Sequence, residues 1–262
     1  MTLEQFEEGL AYARNNFLED TDTHLWLDKK VINEAFNLDS KEVLDFGCGM
    51  GGMSIWYAKN WDCNVHGIDI DSNHITIAKA LQKEFSAKNV TFLKKDILDI
   101  DSSKVYDIIF LNDVIEHIHP LCLLEKIIHK LTELLKPGGI IYVSYPPWQG
   151  PYASHINSVL KLPWCQFLPE SFIVNYLKKH NKKKVGSLED NLLKAYRGLN
   201  KMTHEKFMAV IDKTNLCCYY RNSHTILNQI RGLENRNLNI FPFIFLVTKE
   251  VLFLKQAEPD AH

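Results

Sequence analysis

A chain of 262 residues that is 46% hydrophobic and 24% charged is too apolar to be largely disordered. Its 30 basic and 32 acidic side chains leave a formal net charge of -2, which makes no case for bulk nucleic-acid binding, which wants a strongly basic face. At about 150 residues per domain, the length predicts one embellished domain or two. The start, MTLEQFEEGLAYARNNF, is acidic and lacks an apolar core, so no secretory signal is expected. The longest apolar stretch, Ile240 to Val247, is eight residues broken by Pro242, against about 20 for a membrane-spanning helix. Cys48, Cys63, Cys122, Cys165, Cys217 and Cys218 form no C-x-x-C pair, which predicts reduced thiols in a cytoplasmic protein rather than a zinc site or disulfide framework.

In chain order, residues 1–41 read as a helical leader. EVLDF is an apolar strand ending in a glycine cluster, followed by the helical stretch SIWYAKN. CNVHGIDI is a second strand. Asp71 and Ser72 can cap the next helix, whose apolar positions Ile75, Ala78, Leu81 and Phe85 recur at three and four. NVTFLKK and VYDIIFLN are strands three and four. Pro120 to Leu135 carries Leu124, Ile127, Ile128, Leu131 and Leu135 on one face, and KPGG stops that helix before strand five, IIYVSY. Strands alternating with helices predict an α/β fold, a doubly wound, mostly parallel sheet. Residues 146–202 break the pattern with proline-aromatic clusters and the basic run Lys178, Lys179, Lys182, Lys183 and Lys184, the solvated end of a helix. The α/β pattern resumes with the helix THEKFMAVIDKTN and the strands LCCYYRN and EVLFLKQ. This divides the chain into a lid (1–41), a core (42–145 and 203–256), an insertion after strand five (146–202) and a disordered tail (257–262).

Gly47, Gly49 and Gly52 satisfy G-x-G-x-x-G, and Asp69 follows 22 residues after Gly47, so on glycines alone a nicotinamide dinucleotide remains an alternative. A pyrophosphate over the helix N-terminus tolerates a neighbouring carboxylate poorly. Yet Asp45 immediately precedes the glycines, Asp69, Asp71, Asp96, Asp113 and Glu116 follow at strand ends, and no Lys or Arg lies between Asp45 and Trp56. Such a rim suits a ligand with a cationic centre, an amine and a ribose but no phosphate, which describes S-adenosylmethionine.

VLDFGCGMGG, VHGIDIDSNHITIAKA, FLKKDILD, NDVIEH and LKPGGIIYVS together resemble the successive motifs of class I S-adenosylmethionine-dependent methyltransferases. NDVIEH is most similar to the small-molecule branch that includes ubiquinone-pathway O-methyltransferases. The resemblance covers residues 42–145. It implies a seven-stranded sheet with the last strand antiparallel. Asp45 would hold the methionine amine, while Gly47, Cys48, Gly49 and Gly51 pass the methionine and ribose. Asp69, with Ile70 beside it, would hold the ribose hydroxyls; Asp96 and Ile97 the adenine; Asn112 would lie beside the methionine. The product would be S-adenosylhomocysteine. The acceptor would be an oxygen or nitrogen of a small organic metabolite, or alternatively a lipid-linked or membrane-associated molecule with peripheral membrane contact. A non-catalytic binding module is a further rival.

Methyl transfer from a sulfonium needs alignment and, for some acceptors, proton removal. His155 and Tyr152, just past strand five, are candidates, His155 first. His117, after strand four, is as well explained by helix entry as by catalysis. No clustered acidic and histidine set signals a catalytic metal. Trp148 is open between acceptor wall and packing, Trp164 and Phe167 are expected in a small insertion core, and Tyr12, Phe17 and Trp26 could close the cleft from the leader. Ile240–Val247 is expected to be buried against the sheet.

Overall fold

The computed structural model describes residues 1–18, 24–103, 105–156, 159–180, 193–194, 196–230, 233, 236–237 and 240–257. Its strands are β1 (Glu42–Phe46), β2 (Asn64–Asp69), β3 (Val90–Lys94), β4 (Tyr106–Asn112), β5 (Leu135–Tyr145), β6 (Leu216–Thr225) and β7 (Val247–Gln256). They form one seven-stranded sheet in the order β3-β2-β1-β4-β5-β7-β6. The first five are parallel, and β7 inserts antiparallel between β5 and β6. Among the described residues the α-helices are α1 (Leu3–Leu18), α2 (Trp26–Ala35), α3 (Gly52–Asn60), α4 (Ser72–Glu84), α5 (Leu121–Glu133), α6 (Glu170–His180) and α7 (His204–Ile211).

The central strands are apolar without a break because both sheet faces are covered. Along β4, Ile108 and Phe110 enter the core under α1–α4, whereas Ile109 and Leu111 enter the core under α5 and α7. Successive strand side chains point to opposite faces, so β7 divides likewise: Val251 and Phe253 to the first core, Leu252 and Leu254 to the second. Helix α5 buries Leu124, Ile127, Ile128 and Leu131 at the expected spacing. Asp71 caps α4, its carboxylate accepting the Asn73 N–H at 2.7 Å.

Several expectations shift. Helix α5 ends at Glu133, not at KPGG, and β5 already begins at Leu135. Lys136–Gly139 is the bulge between the Tyr106↔Leu135 and Ile108↔Ile140 pairings, where Gly138 adopts φ +75°. A proline-glycine cluster that reads as a helix stop is thus also compatible with an irregular strand entry. Ile240 to Val247 is not buried against the sheet: Ile240 is 65% and Phe241 76% exposed, and only Val247 is fully covered.

Between β5 and α7 the chain builds its own apolar cluster from Ile156, Leu160, Cys165, Ile173, Leu177 and Leu193. Phe167, expected in it, is instead exposed. Trp164 takes a left-handed conformation and its indole N–H donates to the Phe245 carbonyl at 3.0 Å. Lys178 and Lys179 end α6, whereas Lys182, Lys183 and Lys184 lie outside the described residues, as does all but Ala257 of the expected tail. No helix among the described residues is long and apolar enough to cross a membrane.

Candidate active site

A cavity of about 810 Å³ opens at the carboxyl ends of the parallel strands, where ligands of open α/β sheets bind. One wall is the turn from β1 into α3. Gly47 and Gly51 hold φ +70° and +83° there, and a Cβ on Gly51 would lie 2.6 Å from Phe92. Both positions therefore require glycine. Asp45, Gly47, Cys48, Gly49, Gly51 and Asn112 line this wall, as the motif implied. Asp45 is 3% exposed and accepts a hydrogen bond from the Ser54 hydroxyl. Burial pushes its carboxyl up to about 7 despite that bond.

Asp69, at the end of β2, stands against the glycine turn. Its carboxylate accepts the backbone N–H of Gly49 at 3.0 Å and of Asp71 at 2.8 Å, with His74 Nδ1 at 3.5 Å. Burial pushes it up, but these partners outweigh burial and hold it below its ordinary range. Ile70 is 72% exposed just outside. Asp96 caps the short helical turn Ile97–Asp99 by accepting the Leu98 N–H at 3.0 Å. Ile97, expected beside an adenine ring, is instead buried in the core under α5.

The other wall was not legible. Lys249 of β7 lines the cavity and is nearly buried. It donates to the Asp28 carboxylate of α2, to Asp113 at 2.9 Å and to the His24 carbonyl at 3.3 Å. Asp28, with no exposed surface, also accepts the Tyr142 hydroxyl at 2.7 Å. Burial disfavours the Lys249 cation, but Asp113 and Asp28 overcome this and raise its pKa. The rim carboxylates are therefore not all free: Asp113 is neutralised by a lysine 136 residues away. Tyr12 and Trp26 from the leader also face the cavity. Phe17 does not; it packs edge-on against Phe85 at 4.5 Å.

Tyr152, His155 and His117 line the mouth. The two imidazoles meet at 4.8 Å between ring centroids. Enclosure, then the neighbouring His117, depresses His155 to about 4, and enclosure lowers His117. Behind them lies Glu116, 3% exposed, rather than on the rim. Its Oε1 is 3.6 Å from His155 Nε2 and 3.9 Å from His117 Nε2. Burial, then the Asp113 charge, pushes Glu116 well above the usual carboxylate range. The expectation of no acidic-histidine cluster is thus corrected: residues 39 positions apart converge because the loop after β5 folds back over the end of β4. Trp148 does not line the cavity; its ring packs on Tyr196 at 6.3 Å, with the Lys201 ammonium 5.7 Å from its centroid.

Residues 37–197 match a family model described as a methyltransferase domain. The ubiquinone biosynthesis O-methyltransferase of Rickettsia canadensis is 30% identical over 119 residues, covering 45% of this chain and 48% of that protein. A probable (S)-tetrahydroprotoberberine N-methyltransferase 2 of Papaver bracteatum is 27% identical over 108 residues, 41% of this chain and 29% of that one. The chain thus spans about half or less of these curated relatives. An S-adenosylmethionine-dependent methyltransferase structure from Clostridium acetobutylicum superposes with a TM-score of 0.58 at 10% identity, covering 96% of this chain and 99% of that one. With glycine turn, strand-end carboxylates and reversed β7 in place, and more than half of its length matched, the chain belongs to the methyltransferase domain family.

Proposed function

We propose that this protein transfers a methyl group from S-adenosylmethionine to an oxygen or nitrogen of a small organic acceptor. One observation carries the reading: the buried Asp45 carboxylate shares a cavity with a glycine turn that has no cation of its own. That arrangement attracts an amine and disfavours a pyrophosphate. A nicotinamide oxidoreductase is the poorer fit, since β1–β3 supply one nucleotide-binding half and the reversed β7 stands where a second would continue. Asp45 would hold the methionine amine, Asp69 the ribose, and Asp96 and Ile70 the adenine at the outer edge. Asn112, whose amide donates to the Tyr57 hydroxyl at 2.6 Å, would present its buried, unpartnered Oδ1 to the methionine.

The acceptor would enter between Tyr12, Trp26, Tyr152 and His155, which puts the lid and the insertion on the substrate side. His155, and then His117 or Tyr152, would contact the acceptor atom, with His155 taking its proton where one must leave. A lipid-linked acceptor is the second reading, favoured by exposed Ile240 and Phe241 a few residues before the cavity-lining Thr248. Six unpaired thiols fit a reducing cytoplasm, and the near-even charge balance fits a metabolite rather than nucleic acid. Calorimetric titration with S-adenosylmethionine and, separately, NADH tests the cofactor. Saturable binding of NADH alone would overturn the proposal.

A further inference from the structure

The geometry points to a divalent transition-metal site formed by Glu116, His117 and His155 at the acceptor end of the cavity. Each offers one ligand atom, and the three atoms lie within 4.8 Å of one another. Glu116 Oε1 lies 3.6 Å from His155 Nε2 and 3.9 Å from His117 Nε2. Ligands about 2.05 Å from a tetrahedral zinc stand about 3.3 Å apart, so side-chain shifts of a few tenths of an ångström to at most about 1.5 Å would close the set.

The independent observation is Glu116 itself. Both its carboxylate oxygens are buried and neither has a hydrogen-bond partner. A buried carboxyl with no partner is costly, and native structures retain such a group where something else satisfies it. A cation does so directly. The arrangement is also directional: Glu116 lies behind, while the two imidazoles line the cavity, so the remaining coordination positions face the space beside the glycine turn. Two imidazoles and one carboxylate favour zinc, iron, cobalt or nickel over magnesium, which prefers oxygen ligands. Asp113 is not part of the set, because Lys249 already holds it.

The ion would accept the acceptor's hydroxyl oxygen as a further ligand and lower its pKa. The proton leaves to water, the oxygen's electron pair forms the new bond to the methyl carbon, and the breaking carbon–sulfur bond returns its pair to the sulfonium. No electron passes to the metal. This step rests on the proposed methyl transfer; where the ion is bound, His155 and His117 are ligands, and the proton-accepting role proposed for His155 passes to water.

The test uses the untagged full chain, stripped with a chelator and dialysed against cobalt(II) as the probe. The expected result is one ion per chain with visible ligand-field absorption. His155→Ala and Glu116→Gln should each weaken binding at least about 100-fold, more than loss of a partner outside the coordination shell typically costs. Asp113→Asn should retain it. The His155 side chain is part-exposed at the cavity mouth, so its variant keeps the test valid if Glu116→Gln does not fold. Absence of stoichiometric binding, or binding unchanged in His155→Ala, overturns the site. S-adenosylmethionine affinity of the stripped protein, measured alongside, reports on the cofactor reading separately.

Discussion

The ammonium of Lys249 lies 2.9 Å from the carboxylate of Asp113, joining the last strand of the sheet to the turn after β4. The same ammonium grips Asp28 of α2, so one buried cation ties the leader, the central sheet and the cavity together. Removing one partner of such a set leaves a charge in low dielectric, typically at about 3–5 kcal/mol. Lys249→Met should lower unfolding stability by about that amount in urea titrations, and Asp28→Asn in the same background should recover part of it. A loss below about 1 kcal/mol would show that the network is not a structural tie.

Asp45 links cofactor affinity to pH. Its folded-state value of about 7 exceeds the ordinary 3.8, so the apo protein binds this proton more tightly than the unfolded chain does. The associated stability is fully present below about 4 and is lost as pH rises through about 7. A bound ammonium needs the ionised form. S-adenosylmethionine affinity should therefore rise as pH increases through about 7 and then level off. Calorimetry from acid to neutral pH should find this slope in the wild type and its absence in Asp45→Asn.

Asp69→Ala should weaken S-adenosylmethionine binding by about 1.5–3 kcal/mol for each ribose hydrogen bond lost. Asp96→Ala, at an exposed capping position, should cost less. Equal losses, measured by calorimetry on variants with native circular dichroism, would contradict this division between ribose and adenine.

Tyr152→Ala should change acceptor KM or kcat while leaving cofactor affinity within about two-fold, because Tyr152 lines the mouth of the cavity. Trp148→Ala should leave both unchanged and instead loosen the insertion, since its ring packs on Tyr196. Acceptor kinetics and thermal unfolding on both variants separate the two roles.

Features carried by local pattern were legible in the residues alone. Apolar runs marked the seven strands, three-and-four spacing marked α4 and α5, and the glycines at 47, 49 and 51 marked the turn. Ordered strand-end carboxylates indicated the ligand's charge, because in a parallel sheet all those ends meet at one edge. Where local signals were ambiguous, tertiary packing decided: the KPGG cluster became a bulge within β5, and Ile97 turned inward although its neighbour Asp96 stayed exposed. The state of the site itself depended on long-range contacts. Lys249 neutralises Asp113 from 136 positions away, and Glu116 meets His155 across 39. No periodicity encodes such pairings, since they arise only when the reversed β7 and the loop after β5 close over the end of β4; composition can count these charges, but only the fold sets which are buried, which are paired and which are left without a partner.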